Sequence, residues 1–325
     1  MNQTIVVTGG AGFIGSNFLL KYVRLYPDIR WINVDMITYA GNLDNLTDIA
    51  NLPNYKHYHV DICDIQALTD VYEQEHPTDV IHFAAESHVD NSIANPSIFL
   101  QTNVIGTNNL LLLHKQHSLQ RFHYISTDEV YGDLPLDQPL LKFTESTPIN
   151  PSSPYSTSKT GGDLLTLANH RTYGLDVVVT RCSNNYGPRQ HDEKFIPTII
   201  RSILHNKQIP VYGKGINVRD WIHVLDHCDG VRKVFRQASS GSVYNLGGNH
   251  ELTNIAIVKQ IVSLMKADDN LISFVADRPG HDLRYAIDST KALLDLGRAP
   301  QINFQSGLSE TIDRYTSKYL PTSRV

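Results

Sequence analysis

Cysteine is scarce in this chain, and its placement removes several classes of protein from consideration. Cys63, Cys182 and Cys228 are odd in number and form no C-x-x-C unit, which argues against a disulfide framework and against structural zinc. Cations are not in excess either: Lys and Arg number 28 against 33 Asp and Glu, a formal charge of -5. A nucleic-acid surface needs clustered cations to displace counterions, so that class is set aside. No apolar run approaches the roughly 20 residues that cross a bilayer. Repeats, low-complexity tracts and Gly/Ser linkers are missing. Met1-Asn2-Gln3-Thr4 runs into an apolar strand with no basic leader or cleavage pattern before it. These absences predict a cytoplasmic protein with no metal, no membrane and no nucleic-acid partner.

What is present is alternation. Ile5-Val6-Val7, Trp31-Ile32-Asn33-Val34, Val80-Ile81-His82-Phe83, Phe122-His123-Tyr124-Ile125 and Val177-Val178-Val179 read as buried strands. Between them, Ile14, Phe18, Leu19, Tyr22 and Val23 keep helical spacing, as do Ile65, Leu68, Val71 and Tyr72. Strands separated by helices pair in parallel through right-handed crossovers, which predicts an α/β doubly wound sheet of Rossmann type over 1–180. Past Arg181 the alternation breaks at the turn-rich Asn184-Asn185-Tyr186-Gly187-Pro188. A strand near Val243–Leu246 comes later, with helices after Thr253 and before Tyr319. The expectation for 181–325 is a smaller substrate lobe that shares a core with the first part across a soft boundary.

Gly9-Gly10-Ala11-Gly12-Phe13-Ile14-Gly15 comes directly after the first strand and opens the first helix. Gly9 suits a tight turn, Gly12 a close backbone approach to a pyrophosphate, and Gly15 close helix packing. The helix N-terminus offers unpaired N–H groups to phosphate. Asp35 lies twenty residues beyond Gly15, where a carboxylate accepts from both ribose hydroxyls and repels a 2′-phosphate. That favours NAD over NADP. Asp61-Ile62, at the end of the third strand, reads either as an adenine contact or as a helix cap. Tyr155 and Lys159, four residues apart, share a helix face. A base at a reacting hydroxyl needs a phenol made more acidic by a nearby ammonium and the positive nicotinamide. Lowering its pKa by about 3 units takes about 4 kcal/mol of differential stabilisation.

With these motifs the chain resembles the extended short-chain dehydrogenase/reductase superfamily over nearly its whole length. Within it, His82-Phe83-Ala84-Ala85-Glu86-Ser87-His88-Val89-Asp90, Ser126-Thr127-Asp128-Glu129-Val130-Tyr131-Gly132, Ser183-Asn184-Asn185-Tyr186-Gly187-Pro188 and Asp277-Arg278-Pro279-Gly280-His281-Asp282 are similar to the family of 4,6-dehydratases acting on dTDP-glucose. The resemblance implies Glu129 as base at C5, Asp128 as acid at C6, and Thr127 beside Tyr155 at the C4 oxygen. It requires Asp128 neutral and Glu129 ionised. It also implies that Phe13, Ile14, Thr38, Ala84, Ala85, Ser87 and Asn185 line the cofactor site. Ser87, Asn184, Lys194, Pro210, Tyr212, Arg219, Asn254, Arg278 and His281 are implied for the nucleotide sugar. An Arg fork suits a diphosphate through paired, charge-assisted hydrogen bonds. Asn91, Asp192, Leu225 and Leu283 depart from the family's usual residues. The same resemblance implies a homodimer formed through the Tyr155 helix and the helix carrying Leu110–Leu113. Two rival substrates or reactions share most of these parts: UDP-glucose dehydration, and nucleotide-sugar 4-epimerisation. Only the Asp128-Glu129 pair separates the epimerase reading from the dehydratase one.

Overall fold

The computed structural model describes residues 3–277 and 280–320. Its centre is a parallel sheet of seven strands in the order β10-β6-β5-β4-β1-β2-β3. The chain enters through β1 (Thr4–Thr8), α1 (Phe13–Leu25), β2 (Arg30–Val34), β3 (Tyr55–Tyr58), α2 (Ile65–Glu75) and β4 (Asp79–His82). It then crosses through α3 (Val89–Ala94), α4 (Pro96–Leu100), a π-helical turn (Gln101–Gly106) and α5 (Thr107–Gln116) to β5 (Arg121–Thr127). The 20-residue α6 (Pro154–Tyr173) leads to β6 (Val177–Cys182). These crossovers cover both faces, which is why the strands read as unbroken apolar runs. Side chains alternate accordingly: Ile5 and Val7 pack with α1, whereas Val6 packs with α2 and α5.

The second half does not stand apart. After β7 (Asn184–Tyr186), α7 (Phe195–Leu204), β8 (Ile209–Tyr212) and β9 (Val218–His223), α8 (Val224–Gln237) lays Val231 and Val234 on the core of α1. β10 (Ser242–Leu246) then pairs with β6 in register Asn245 to Arg181. The remaining elements divide between the α1 core, which takes in Ala292 and Leu296, and a second layer. β11 (Glu251–Thr253), α9 (Asn254–Leu264), β12 (Ile272–Val275), α10 (Thr290–Leu296) and α11 (Phe304–Tyr319) complete the chain. Among them α9 and α11 share a core with α7. β9 sits between β7 and β11, and β8 pairs with β12.

Two local details differ from the sequence expectation. β3 ends at Tyr58, so Asp61 lies in the loop beyond it, and the cap of α2 is Asp64, which accepts from the N–H groups of Gln66 and Ala67. Asp61 instead turns onto the N–H of Cys63 at 2.9 Å. Asp192, where the family usually has proline, takes the Lys318 ammonium at 2.6 Å and the Tyr319 hydroxyl at 2.7 Å. That substitution ties the loop before α7 to the end of α11.

A buried polar side chain supports the glycine turn from below. Asn33, fully buried on β2, accepts from the Gly10 N–H at 3.1 Å and donates to the Tyr55 hydroxyl at 3.0 Å. Replacing it strands both partners away from water. Asn33→Ala is expected to lower stability by about 1–3 kcal/mol, read as a lower urea midpoint at unchanged slope.

Candidate active site

Every strand of the parallel sheet ends at the same edge, and the unusual residues gather there in one cleft. Gly9, Gly12, Phe13, Ile14 and Gly15 line it from the β1 turn, Asp35 and Thr38 from β2, and Asp61 and Ile62 from beyond β3. Ala84, Ala85 and Ser87 come after β4, and Thr127, Asp128 and Glu129 from the end of β5. Tyr155 and Lys159 reach in from α6, and Asn184, Asn185 and Lys194 from beyond β6. The cavity holds about 400 Å³.

At its N-terminal end the cleft is shaped for a dinucleotide. Gly9 has φ +70°, and a Cβ there would sit 2.5 Å from the Ala84 nitrogen. A Cβ on Gly15 would sit 2.3 Å from the Gly9 carbonyl, so this glycine lets α1 pack on the turn itself rather than on a strand. Gly12 caps α1 with no side-chain bond to its first N–H groups, which leaves them for a pyrophosphate. Asp35 accepts from Ala11 N–H and Ile37 N–H, both at 2.8 Å. Those bonds fix the carboxylate at the cleft and leave it further lone pairs for ribose hydroxyls. The residues fit NAD.

The chemistry-bearing groups sit where water is excluded. Asp128 is buried, and its Oδ2 has no hydrogen-bond partner. Burial holds this carboxyl well above the ordinary aspartate range, the carboxylates of Glu129 and Asp220 push it further, and Arg219 opposes them. Burial and the neighbouring carboxylates thus favour the protonated form of Asp128. Thr127 stands between the pair: its hydroxyl donates to Asp128 Oδ1 at 3.4 Å and accepts from the Glu129 N–H at 3.3 Å.

Tyr155 departs from expectation. Burial pushes its phenol well above the usual value, and the Glu129 carboxylate pushes in the same direction. Lys159 does not reverse this, because its ammonium donates to the Ile125 carbonyl at 2.7 Å and burial pulls it down to about 8. In the protein alone Tyr155 is a neutral phenol. The acidity expected of it has to come from the charge of a bound nicotinamide.

A second group of expected residues lies beside the cleft. Arg219, 5% exposed, spends its fork on backbone: NH2 donates to the Asp282 carbonyl at 2.9 Å and NH1 to the Val218 carbonyl at 2.8 Å. Its guanidinium also lies 4.2 Å from the Tyr285 ring centre. Asn254 opens α9 with its N–H on the Asn217 carbonyl, and the Asn217 side chain donates to the Asp282 carbonyl. The His281 ring meets the Asp277 carboxylate at 2.6 Å and faces Tyr212 edge-on at 6.2 Å. Pro210 and Tyr212 point outward from β8. Arg278 lies outside the described residues.

Comparison with known proteins agrees with this geometry. Residues 6–311 match the family described as GDP-mannose 4,6 dehydratase. The dTDP-glucose 4,6-dehydratases of Neisseria meningitidis serogroup B and of Escherichia coli are each 47% identical, over 96% of this chain and 93% of theirs. The chain belongs to the dTDP-glucose 4,6-dehydratase family. The structure of DesIV, a dTDP-glucose 4,6-dehydratase from Streptomyces venezuelae with NAD bound, superposes with a TM-score of 0.93 at 44% identity, covering 98% of both chains. A UDP-glucose 4-epimerase from Thermotoga maritima reaches a TM-score of 0.90 at 26% identity, over 98% of this chain and 100% of its own. Fold is shared with epimerases; sequence separates the chain from them.

Within this dehydratase scaffold the structure adds residues that no local pattern pointed to. Asn103, in the π-helical turn, accepts from the Glu86 N–H, donates to the Glu86 carbonyl and reaches the Ser158 hydroxyl at 2.8 Å. His227 donates from Nδ1 to the Asn185 amide oxygen at 2.9 Å, and burial keeps the imidazole neutral by lowering it to about 3. Asn185 is thereby oriented, with its NH₂ on the Ser183 carbonyl. Lys194 bridges the cleft by donating to the Ser87 carbonyl at 3.0 Å.

The position of Lys159 carries a pH signature. Above about 8 its ammonium is lost, and with it the positive charge at the Tyr155 face. Turnover is expected to fall as pH rises through that value. Lys159→Arg, which stays charged throughout, should retain measurable activity and move the alkaline limb of the kcat/KM profile upward. A limb left in place would assign it to another group.

Proposed function

We propose that the protein is an NAD-dependent dTDP-glucose 4,6-dehydratase, a hydro-lyase that converts its substrate to the 4-keto-6-deoxy sugar. The observation that carries this reading is the Asp128-Glu129 pair at the end of β5, with Asp128 buried and favoured in its protonated form beside the Tyr155 face. An epimerase has no task for a neutral acid at that place. The family, at 47% identity over 96% of the chain, supports the nucleotide sugar.

NAD, when bound by the Gly9–Gly15 turn and Asp35, supplies a hydride acceptor at C4 and returns that hydride at C6. Tyr155, ionised in the loaded site, takes the C4 hydroxyl proton, with Thr127 holding the same oxygen. The resulting ketone acidifies C5. Glu129 removes the C5 proton while Asp128 protonates the C6 hydroxyl, which leaves as water. Glu129 then returns its proton to C5. The proton gained by Tyr155 balances the one lost by Asp128, so the net change is the loss of one water. On this reading, as the family resemblance implies, Asn184 and Ser87 contact the sugar, Asn185 faces the nicotinamide side, and Lys194, Pro210, Tyr212, Arg219, Asn254, Arg278 and His281 serve the nucleoside diphosphate. Because Arg219 already serves the Val218, Asp282 and Leu283 carbonyls, its remaining guanidinium edge would meet phosphate as a fixed rather than a swinging donor.

Incubation with dTDP-glucose should give a product lighter by one water with no net reduced cofactor, read by mass spectrometry. Equal conversion of UDP-glucose would remove the dTDP preference, and an isobaric C4 epimer would overturn dehydration altogether. Glu129→Gln should still reduce bound cofactor transiently yet fail to exchange the C5 proton with solvent deuterium.

The enzyme is further proposed to be a cytoplasmic homodimer. No helix among the described residues is long and apolar enough to cross a membrane, and the three cysteines are unpaired. Of the four leucines on α5, Leu110, Leu111 and Leu113 are buried and Leu112 is half exposed; Leu164 on α6 is equally exposed. A paired α5–α6 face would cover both, whereas a thick core within one chain would have buried Leu112 with the other three. Wild-type protein should sediment as a dimer and the Leu112→Glu/Leu164→Glu variant as a monomer. A wild-type monomer would end the dimer reading.

A further inference from the structure

The catalytic groups come from two elements, which meet directly where the Lys159 ammonium donates to the Ile125 carbonyl at 2.7 Å and the Tyr124 hydroxyl donates to the Lys159 carbonyl at 3.3 Å. Tyr155 and Lys159 belong to α6, whereas Thr127, Asp128 and Glu129 form the end of β5 and the short turn Asp128–Tyr131. The reaction needs them in fixed relation, because Tyr155 acts with Thr127 at C4 while Glu129 and Asp128 act at C5 and C6 of the same ring.

Arg181 of β6 touches both elements at once. Its Nε donates to Asp163 Oδ2 at 2.8 Å and its NH2 to Asp163 Oδ1 at 2.9 Å. Asp163 lies one helical turn beyond Lys159, on the α6 face that carries Tyr155 and Lys159. The remaining arm, NH1, donates to the Tyr131 hydroxyl at 2.9 Å, and Tyr131 is the last residue of the turn that begins with Asp128. Tyr131 donates onward to Asn245 Oδ1 at 2.8 Å, and Asn245 flanks Arg181 on β10. The Arg181 and Asp163 side chains are 3% and 0% exposed, so solvent neither screens nor replaces these bonds. A lysine could not reproduce them, since a single ammonium lacks the planar fork that serves a carboxylate and a phenol in different directions.

We propose that Arg181 is a positioning residue that fixes the oxidation face of α6 against the elimination pair at Asp128-Glu129. This rests on the dehydratase reading. Oxidation at C4 draws on α6, the cofactor turn and Thr127, while elimination depends on where Glu129 and Asp128 meet a ring that α6 has already placed. Loss of Arg181 therefore slows the second step more than the first.

The test compares wild-type holoenzyme with the Arg181→Lys variant and with the Arg181→Met/Asp163→Leu double variant. The double variant removes the pair together and so leaves no uncompensated buried charge. Arg121→Met/Asp176→Asn serves as a control, because Arg121 and Asp176 form a comparable forked pair at the opposite edge of the sheet. Both Arg181 variants should bind NAD as wild type does, keep KM within about twofold and lose kcat on the order of 100-fold, the cost of displacing reacting groups by about an ångström. Reduced cofactor, monitored by its near-ultraviolet absorbance, should accumulate during turnover because elimination lags, and C5 deuterium exchange should fall with kcat. The control should show neither change at a matched loss of thermal stability. A fall in kcat with no accumulation of reduced cofactor, or accumulation equal to that of the control, overturns the proposal. If wild type itself releases no water from dTDP-glucose, the dehydratase reading fails instead.

Discussion

Desolvation at the carboxyl edge of β5 and β6 acts on every ionisable group there, and in opposite senses for acids and bases. Taking a charge out of water penalises the charged form. Asp128, without a partner for Oδ2, is pushed toward its protonated form; Lys159 falls to about 8; the Cys182 thiol between them is pushed up to about 12. One physical cause thus sets a proton donor and an only marginally charged cation within the same few ångströms. The acid needed for elimination is made chiefly by burial, with Thr127 donating to one oxygen only.

That edge exists because the strands are parallel. Residues near 9, 35, 61, 84, 127 and 182 are far apart in the chain, and each lies at the end of a strand or in the loop just past it. Parallel pairing brings all six ends to one side, and the helical crossovers that parallel pairing demands seal both faces of the sheet. The second half then adds β10 beyond β6 and α8 against α1, so the wall opposite the glycine turn is built on the same core.

Much of this is legible from residue patterns, and the part that is not has a common reason. Buried strands, the glycine turn, Asp35 and the Tyr155/Lys159 spacing are local signals, written within a few residues of one another. The Tyr155 pKa escapes such a reading because proximity along a helix says nothing of what else a side chain holds: the Lys159 ammonium faces the Ile125 carbonyl, 34 residues away in sequence. Arg219 reads in sequence as a diphosphate fork or a surface pair with Asp220, yet both are buried and serve backbone groups; Asp220 accepts from Gly248 and His250 N–H. Asp61 and Asp64 both stand just ahead of a helix, and only the hydrogen bonds show which one caps it. Asn33, His227 and Arg181 give no signal at all, since each is a polar residue inside an apolar stretch whose partners lie 18 to 50 residues away.

The shared core also constrains how the cleft admits its ligands. A hinge between the halves would have to withdraw β10 from β6 and Val231 and Val234 from α1, exposing apolar surface at about 25 cal/mol per Å². The contact across the cleft is far weaker. Lys194, on the cleft wall, donates to the Ser87 carbonyl at 3.0 Å. Hydrogen bonds of that kind contribute about 0.5–1.5 kcal/mol each, up to about 3 where a charge is involved. Opening therefore proceeds through side chains and the loops that carry them, while the sheet stays whole.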